Sequence, residues 1–271
     1  MNCKCGIWQE LQLIAKYFES GDAIQYMGRI HLIDGEKGGV GKSLFARVMV
    51  QYAINKKLEH ALVDADITNQ DVKRFYDYAV DAEFSEALNK GDKADIIFEL
   101  ARKKPVIVNL PANVFPKVNN WIHRGKLLEV ASKYGVDICK WFVCDGGFES
   151  IDLFYQSINL HKDKMLHVFV MNLGKTDDWS FLNDNHAYKT LTNKYKNTLK
   201  IIDFPLLYPG DRYFIDSNKF RFDASNIEET MPIMSQQRLS TFLEESHLAI
   251  ERTQLWSKEK QPVKQNLDVK N

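Results

Sequence analysis

What this 271-residue chain lacks narrows its class first. It has no net charge, because 36 lysines and arginines face 36 aspartates and glutamates. No global field therefore draws it onto nucleic acid or anionic lipid, and any such contact has to use a local patch. No apolar run reaches the roughly 18–20 residues needed to span a membrane. A basic-then-apolar leader is also missing, since Glu19 and Asp22 interrupt the one candidate stretch. A soluble cytoplasmic protein is expected. Cysteine is scarce: Cys3, Cys5, Cys139 and Cys144. Cys3 and Cys5 have one residue between them, and no Cys/His cluster follows at zinc-finger spacing. Cys139 and Cys144 fall in the apolar run ICKWFVCD, which reads as a buried strand. Core packing is their expected work, with redox or metal chemistry the alternative, and a reducing compartment fits. Internal repeats and low-complexity tracts are absent as well.

What the chain does have is an alternation of two periodicities. Hydrophobic residues make up 45% of it, enough for one large α/β domain or two small ones. Strand-like apolar runs occur at 30–34, 61–64, 106–110, 138–144, 166–172 and 199–202. Helical patterns separate them at 42–57, 83–101, 117–134, 149–160 and 179–195, and a final helix is expected over 231–256. Near-continuous apolar strands alternating with helices predict an α/β fold with a mostly parallel sheet, flanked by helices on both faces. Such sheets bind ligands beyond the carboxyl ends of their strands. Residues 1–26 form an extension with a short amphipathic helix at 7–18; they are either an added element or an upstream start, because Met27 sits where such a domain would begin. The domain itself covers 27–256, and the polar tail 257–271 is expected to be disordered.

The first expected strand runs straight into residues 35–43, GEKGGVGKS. Gly38, Gly39 and Gly41 let backbone N–H groups turn inward and approach phosphate oxygens that a side chain would keep away. Lys42 brings a positive charge to the outer phosphates, and the Ser43 hydroxyl can ligate Mg²⁺. The helix that follows adds its N-terminal dipole. This reads as a loop that wraps the phosphates of a nucleoside triphosphate. It departs from the plain pattern in two ways. Glu36 stands where the first glycine belongs, and a second lysine, Lys37, precedes the double glycine.

The form xKGGxGK[ST] resembles the deviant Walker A loop of the ParA/MinD family of dimerising ATPases. The resemblance implies a three-layer P-loop NTPase fold, ATP or ADP with Mg²⁺ as ligands, and a homodimer. It also implies nucleotide contacts from Glu36, Lys37, Gly38, Gly39, Val40, Gly41, Lys42, Ser43 and Leu44, with catalytic work for Lys37, Lys42 and Asp66. Lys37 would be the signature lysine that reaches the phosphates of a partner subunit, neutralising charge much as an arginine finger does. The alternative for Lys37 is a solvated surface lysine.

Further matches lie at later strand ends. In ALVDADITNQDV, Asp64 and Asp66 are two apart and share a face of an extended strand. By resemblance Asp66 positions or activates the attacking water, and Ser43, Asp64 and Asp66 lie near the Mg²⁺ shell. Capping of the next helix is the alternative for Asp66, and Asp71 also suits it. In VIVNLPANVF, Asn109 stands where the family places an aspartate, so a negative charge that helps hold a divalent cation is missing. In VMNLGK, Asn172 matches the asparagine that contacts the base; a turn-capping asparagine is the alternative. The segment 201–207, IIDFPLL, resembles the next strand and a loop that closes over the base.

Three blocks resemble the TraL/StbB-like (MobD-like) branch encoded on plasmids beside conjugation and mobilisation genes. They are VIVNLPANVFPKVNNW, WFVCDGGFESIDLFYQSI, and FDAS with MPIMSQQRLSTFLE. The resemblance runs from 28 to 248 and implies a partner protein in plasmid transfer or stability. Basic clusters at 102–104 and 194–200 offer weak support for direct DNA contact, since such runs are usually solvated faces. The end PVKQNLDVKN is too polar for a membrane-binding helix. Three functions remain in view: an ATP-dependent switch in plasmid transfer or ordinary partition, a nucleotide-binding scaffold with little hydrolysis, and a small-molecule kinase or ligase.

Overall fold

The computed structural model describes residues 28–87 and 90–256. The expected helix at 7–18, Cys3, Cys5 and the tail 257–271 lie outside the described residues. Strands β1 (Gly28–Asp34), β2 (Ala61–Asp64), β3 (Val80–Asp81), β4 (Val106–Asn109), β5 (Val136–Cys144), β6 (Leu166–Asn172) and β7 (Leu199–Phe204) form one parallel sheet. Its order is β3-β2-β4-β1-β5-β6-β7. Strand β1 is therefore central: Ile33 pairs with Asn109 on one side and Trp141 on the other. The parallel sheet flanked by helices is the fold that the apolar runs predict.

Side-chain parity explains why both faces are covered. Along β5, Cys139, Trp141 and Val143 pack on one face, beneath α1 (Lys42–Asn55), with α7 (Pro209–Ser217), α8 (Asn226–Thr230) and α9 (Ile233–Arg252). Ile138, Phe142 and Cys144 point to the other face. There they meet α2 (Asp95–Ala101), α3 (Phe115–Arg124), α4 (Leu127–Lys133), α5 (Phe148–His161) and α6 (His186–Lys194). Trp141 is wholly buried, and its indole N–H donates to His31 Nδ1 at 3.0 Å. Truncating a ring of this kind to alanine costs about 3–5 kcal/mol. Cys139 and Cys144 are free and buried, and burial pushes both thiols up, so they pack as hydrophobes.

Several helix boundaries differ from expectation for local reasons. The pattern at 83–101 yields a helix only from Asp95, because Glu83 turns to pair with Lys90 and Lys93 and Phe84 packs edge-on against Trp121. The pattern at 117–134 is two helices, split where Gly125 ends the first and Lys126 takes a positive φ of 47°. Helix α6 starts at His186, where the Asn185 side chain accepts from the Tyr188 amide. The last helix starts at Ile233 after Pro232 and ends at Arg252. Helix α7, with proline in its first turn, and the two-residue β3 were missed.

Candidate nucleotide-binding site

The phosphate loop lies where the topology requires, between the end of the central strand β1 and the start of α1. Gly41 has φ 110°, and a Cβ there would come within 2.6 Å of Asn172 Nδ2, so only glycine fits. At Gly38 and Gly39 a Cβ would meet nothing within 4 Å. The protein leaves that side of the loop open to an anion. Lys42 is buried at the base, donating to the carbonyls of Gly35 at 2.7 Å and Lys37 at 3.2 Å. Burial lowers its pKa, while Asp34, Glu36 and Asp66 favour the charged form. Ser43 is half-buried in the first turn of α1, with Val40 and Leu44 in the core beneath.

Glu36 does what a glycine could not. Its carboxylate accepts from the Val114 amide at 3.0 Å, adding a side-chain tie to the backbone bond from the Asn113 amide to its carbonyl at 2.9 Å. The phosphate loop is thus tied to the loop after β4. Burial, and then Asp34, raise the Glu36 pKa.

The other expected residues divide. Asp66 is half-buried, with its carboxylate accepting from the Asn69 amide at 3.0 Å and the Thr68 hydroxyl at 3.3 Å. Asp64 is wholly buried: one oxygen accepts from the amides of Val72 and Lys73, the other from Asn109 Nδ2. Burial raises its pKa despite those bonds. Asn109 Oδ1 is buried with no partner. Asn172 Nδ2 donates to the Val40 carbonyl at 2.7 Å, and its oxygen accepts from the Gly174 amide. Both ends of this amide hold backbone, as the turn-capping alternative requires, and its carbonyl partner lies in the phosphate loop itself. Arg102 of the first basic cluster is engaged by Glu99, whereas Lys194, Lys196 and Lys200 are exposed.

Two charge pairs had no place in the sequence reading. Lys37 Nζ lies 3.3 Å from Asp145, just past β5, and its side chain is 42% exposed. Burial alone would raise the Asp145 pKa, but the Gly147 amide and Lys37 outweigh it and hold the carboxyl low. Beneath the loop, Asp34 accepts from the Gly35 amide and pairs with Lys140 at 2.9 Å, with neither side chain accessible. Lys140 Nζ and the Asp34 oxygen it faces make no hydrogen bond, so the attraction is ionic. A lysine inside the apolar run ICKWFVC was the available signal, since such a charge needs a partner.

For Mg²⁺, Ser43 and Asp66 are the two expected ligands that are only half-buried at this end of the sheet. Asp64 has both oxygens bonded within the protein. Among the described residues no group of three or more His, Cys, Asp and Glu side chains could hold a metal.

The chain matches no protein-family model. It is 24% identical over 233 residues to Protein TraL of Escherichia coli, a likeness covering 79% of this chain and 93% of TraL. The chain thus resembles TraL, a likeness that runs over most of both proteins. Among solved structures it aligns with a nucleotide-binding protein of Archaeoglobus fulgidus in complex with ADP, at 15% identity and TM-score 0.44, over 79% of this chain and 97% of that one. It also aligns with the MinC:MinD cell division protein complex of Aquifex aeolicus, at 14% identity and TM-score 0.47, over 82% and 96%. Within this chain, Glu36 and the Asp34–Lys140 pair brace the phosphate loop from below, while Lys37 stays on its outer rim. No helix among the described residues is long and apolar enough to cross a membrane.

Proposed function

We propose that the chain is an ATP-dependent dimerisation switch with slow hydrolysis, acting in the cytoplasm on a partner protein of plasmid transfer, mobilisation or stability. Lys37 carries the reading: a cation on the outer rim of an open glycine cradle that already has its own buried lysine. One lysine per site suffices to hold phosphates; the second, held on the rim by Asp145, would complete a site in another copy. The likeness to TraL supports the plasmid setting.

In this mechanism the loop amides and Lys42 bind the β- and γ-phosphates, and Asp66 orients the attacking water. Lys37 from the opposite copy stabilises the charge that develops. Mg²⁺, when bound by Ser43 and Asp66, neutralises phosphate charge. An amide at Asn109 instead of a carboxylate keeps turnover slow. Hydrolysis then resets the dimer. A cavity of about 630 Å³ opens among Phe84, Phe98, Trp121 and Tyr134, but no residue of the phosphate loop lines it, so it offers no acceptor site for a kinase or ligase.

Phosphate release by the full chain tests the mechanism. Slow Mg²⁺-dependent turnover is expected, lost in Asp66→Ala and Lys37→Ala while ATP binding persists. Unchanged turnover in Asp66→Ala would sink it. The buried Asn109 favours one second reading, a scaffold that binds ATP and dimerises without turnover in the wild type.

A further inference from the structure

The face of the sheet away from α1 holds a cavity that the nucleotide site does not use. About 630 Å³ opens between α2, α3 and α4, walled by Phe84, Phe98, Trp121 and Tyr134. A space of that size with aromatic walls suits a bulky apolar group. Its charges are unevenly matched. Asp95 accepts from the Trp121 indole N–H at 2.9 Å, and Glu99 pairs with Arg102 at 3.1 Å. Arg124, which also lines the cavity, has no ion-pair partner among the described residues. Neither have Lys103, Lys104, Lys126 and Lys133, which stand beside lining residues in the chain. Glu129 is the one acid along 102–104 and 124–134. The mouth is therefore cationic around an apolar hollow.

We infer that this cavity is where the partner protein docks, by one bulky apolar side chain held on a segment rich in aspartate and glutamate. Charge complementarity selects that occupant. Asp95 and Glu99 are already engaged, while the five cations Lys103, Lys104, Arg124, Lys126 and Lys133 lack carboxylates. The aromatic walls supply the buried contact on which interfaces depend most. Single-stranded nucleic acid also pairs cations with aromatic rings, but it stacks bases on open ring faces. Here Arg102 stands over the Tyr134 ring at 5.1 Å, and Phe84 and Trp121 meet edge to face. A side chain that enters end-on suits such walls; a base lying flat does not. Helix α3 connects the site to the phosphate loop. It starts beside Asn113 and Val114, both bonded to Glu36, and its last turns bring Trp121 and Arg124 into the cavity. A docked partner thus holds one end of a helix whose other end the phosphate loop holds. The inference rests on the partner-protein reading above and names the surface that reading leaves open.

Panning phage-displayed random dodecapeptides against the full chain with ATP and Mg²⁺ tests it. The enriched peptides are expected to carry tryptophan, phenylalanine or leucine among aspartates and glutamates. Synthetic copies are expected to bind the double variant Arg124→Glu/Lys126→Glu about tenfold or more weakly than wild type, while a fluorescent ATP analogue binds both alike. Both positions are exposed, so the variant keeps its core. No enrichment, basic peptides, or peptides that bind variant and wild type equally would overturn this site, and the partner reading then needs another surface. Two other occupants would overturn it as well: a labelled oligothymidylate that binds wild type and not the variant, or a nucleotide-free dimer that the variant abolishes. A wild-type mass unchanged by ATP would remove the dimerisation switch and leave the docking result standing.

Discussion

The side-chain amide of Asn109 donates to the Asp64 carboxylate at 3.0 Å, and both residues are fully buried. This changes what restoring a carboxylate at 109 would do. In Asn109→Asp the new carboxyl would face Asp64 directly, and two such groups cannot both ionise in a buried site. One keeps its proton, so a folded-state pKa is raised above the unfolded value. The folded state then holds a proton that the unfolded chain releases, and stability falls as pH rises through that window. Thermal unfolding is expected to show Asn109→Asp near wild type at pH 4 and well below it at pH 8. A pH-independent difference would count against the shared proton.

Asp34 and Lys140 make the second prediction. Lys140→Met leaves the Asp34 carboxylate charged and buried beneath the phosphate loop, at a cost of about 3–5 kcal/mol. The double variant Asp34→Asn/Lys140→Met removes both charges and is expected to recover most of that loss. Urea unfolding of the four proteins gives the coupling directly. Additive losses would mean that the two groups do not depend on each other.

Asn172 separates base recognition from loop support. Its amide is bonded at both ends to backbone, and one partner is the Val40 carbonyl of the phosphate loop. Asn172→Ala frees that carbonyl and loosens the loop, at about 1–3 kcal/mol. Calorimetric titration is expected to show ATP and GTP affinities falling together by about tenfold or more. A selective loss of ATP binding would restore the base-contacting role.

The apolar runs placed six strands almost residue for residue, because buried parallel strands have little freedom in composition. GEKGGVGKS located the loop, since few other chemistries demand that glycine spacing. Helices were less legible where tertiary pairing overrode periodicity, as when Glu83 drew in Lys90 and Lys93 and the helix began only at Asp95. Side-chain partners were less legible still. Asp64 and Asp66 look equivalent two residues apart, yet one is a buried cap for the amides at 72 and 73 and the other is half-exposed. Asp145 sat unremarked in WFVCDGGFES because its contact with Lys37 spans more than a hundred positions.

Light scattering of the full chain, with and without ATP and Mg²⁺, tests the central claim most directly. The account predicts a monomer without nucleotide and a doubled mass with ATP, lost again in Lys37→Ala. A wild-type chain of monomer mass while saturated with ATP would contradict it.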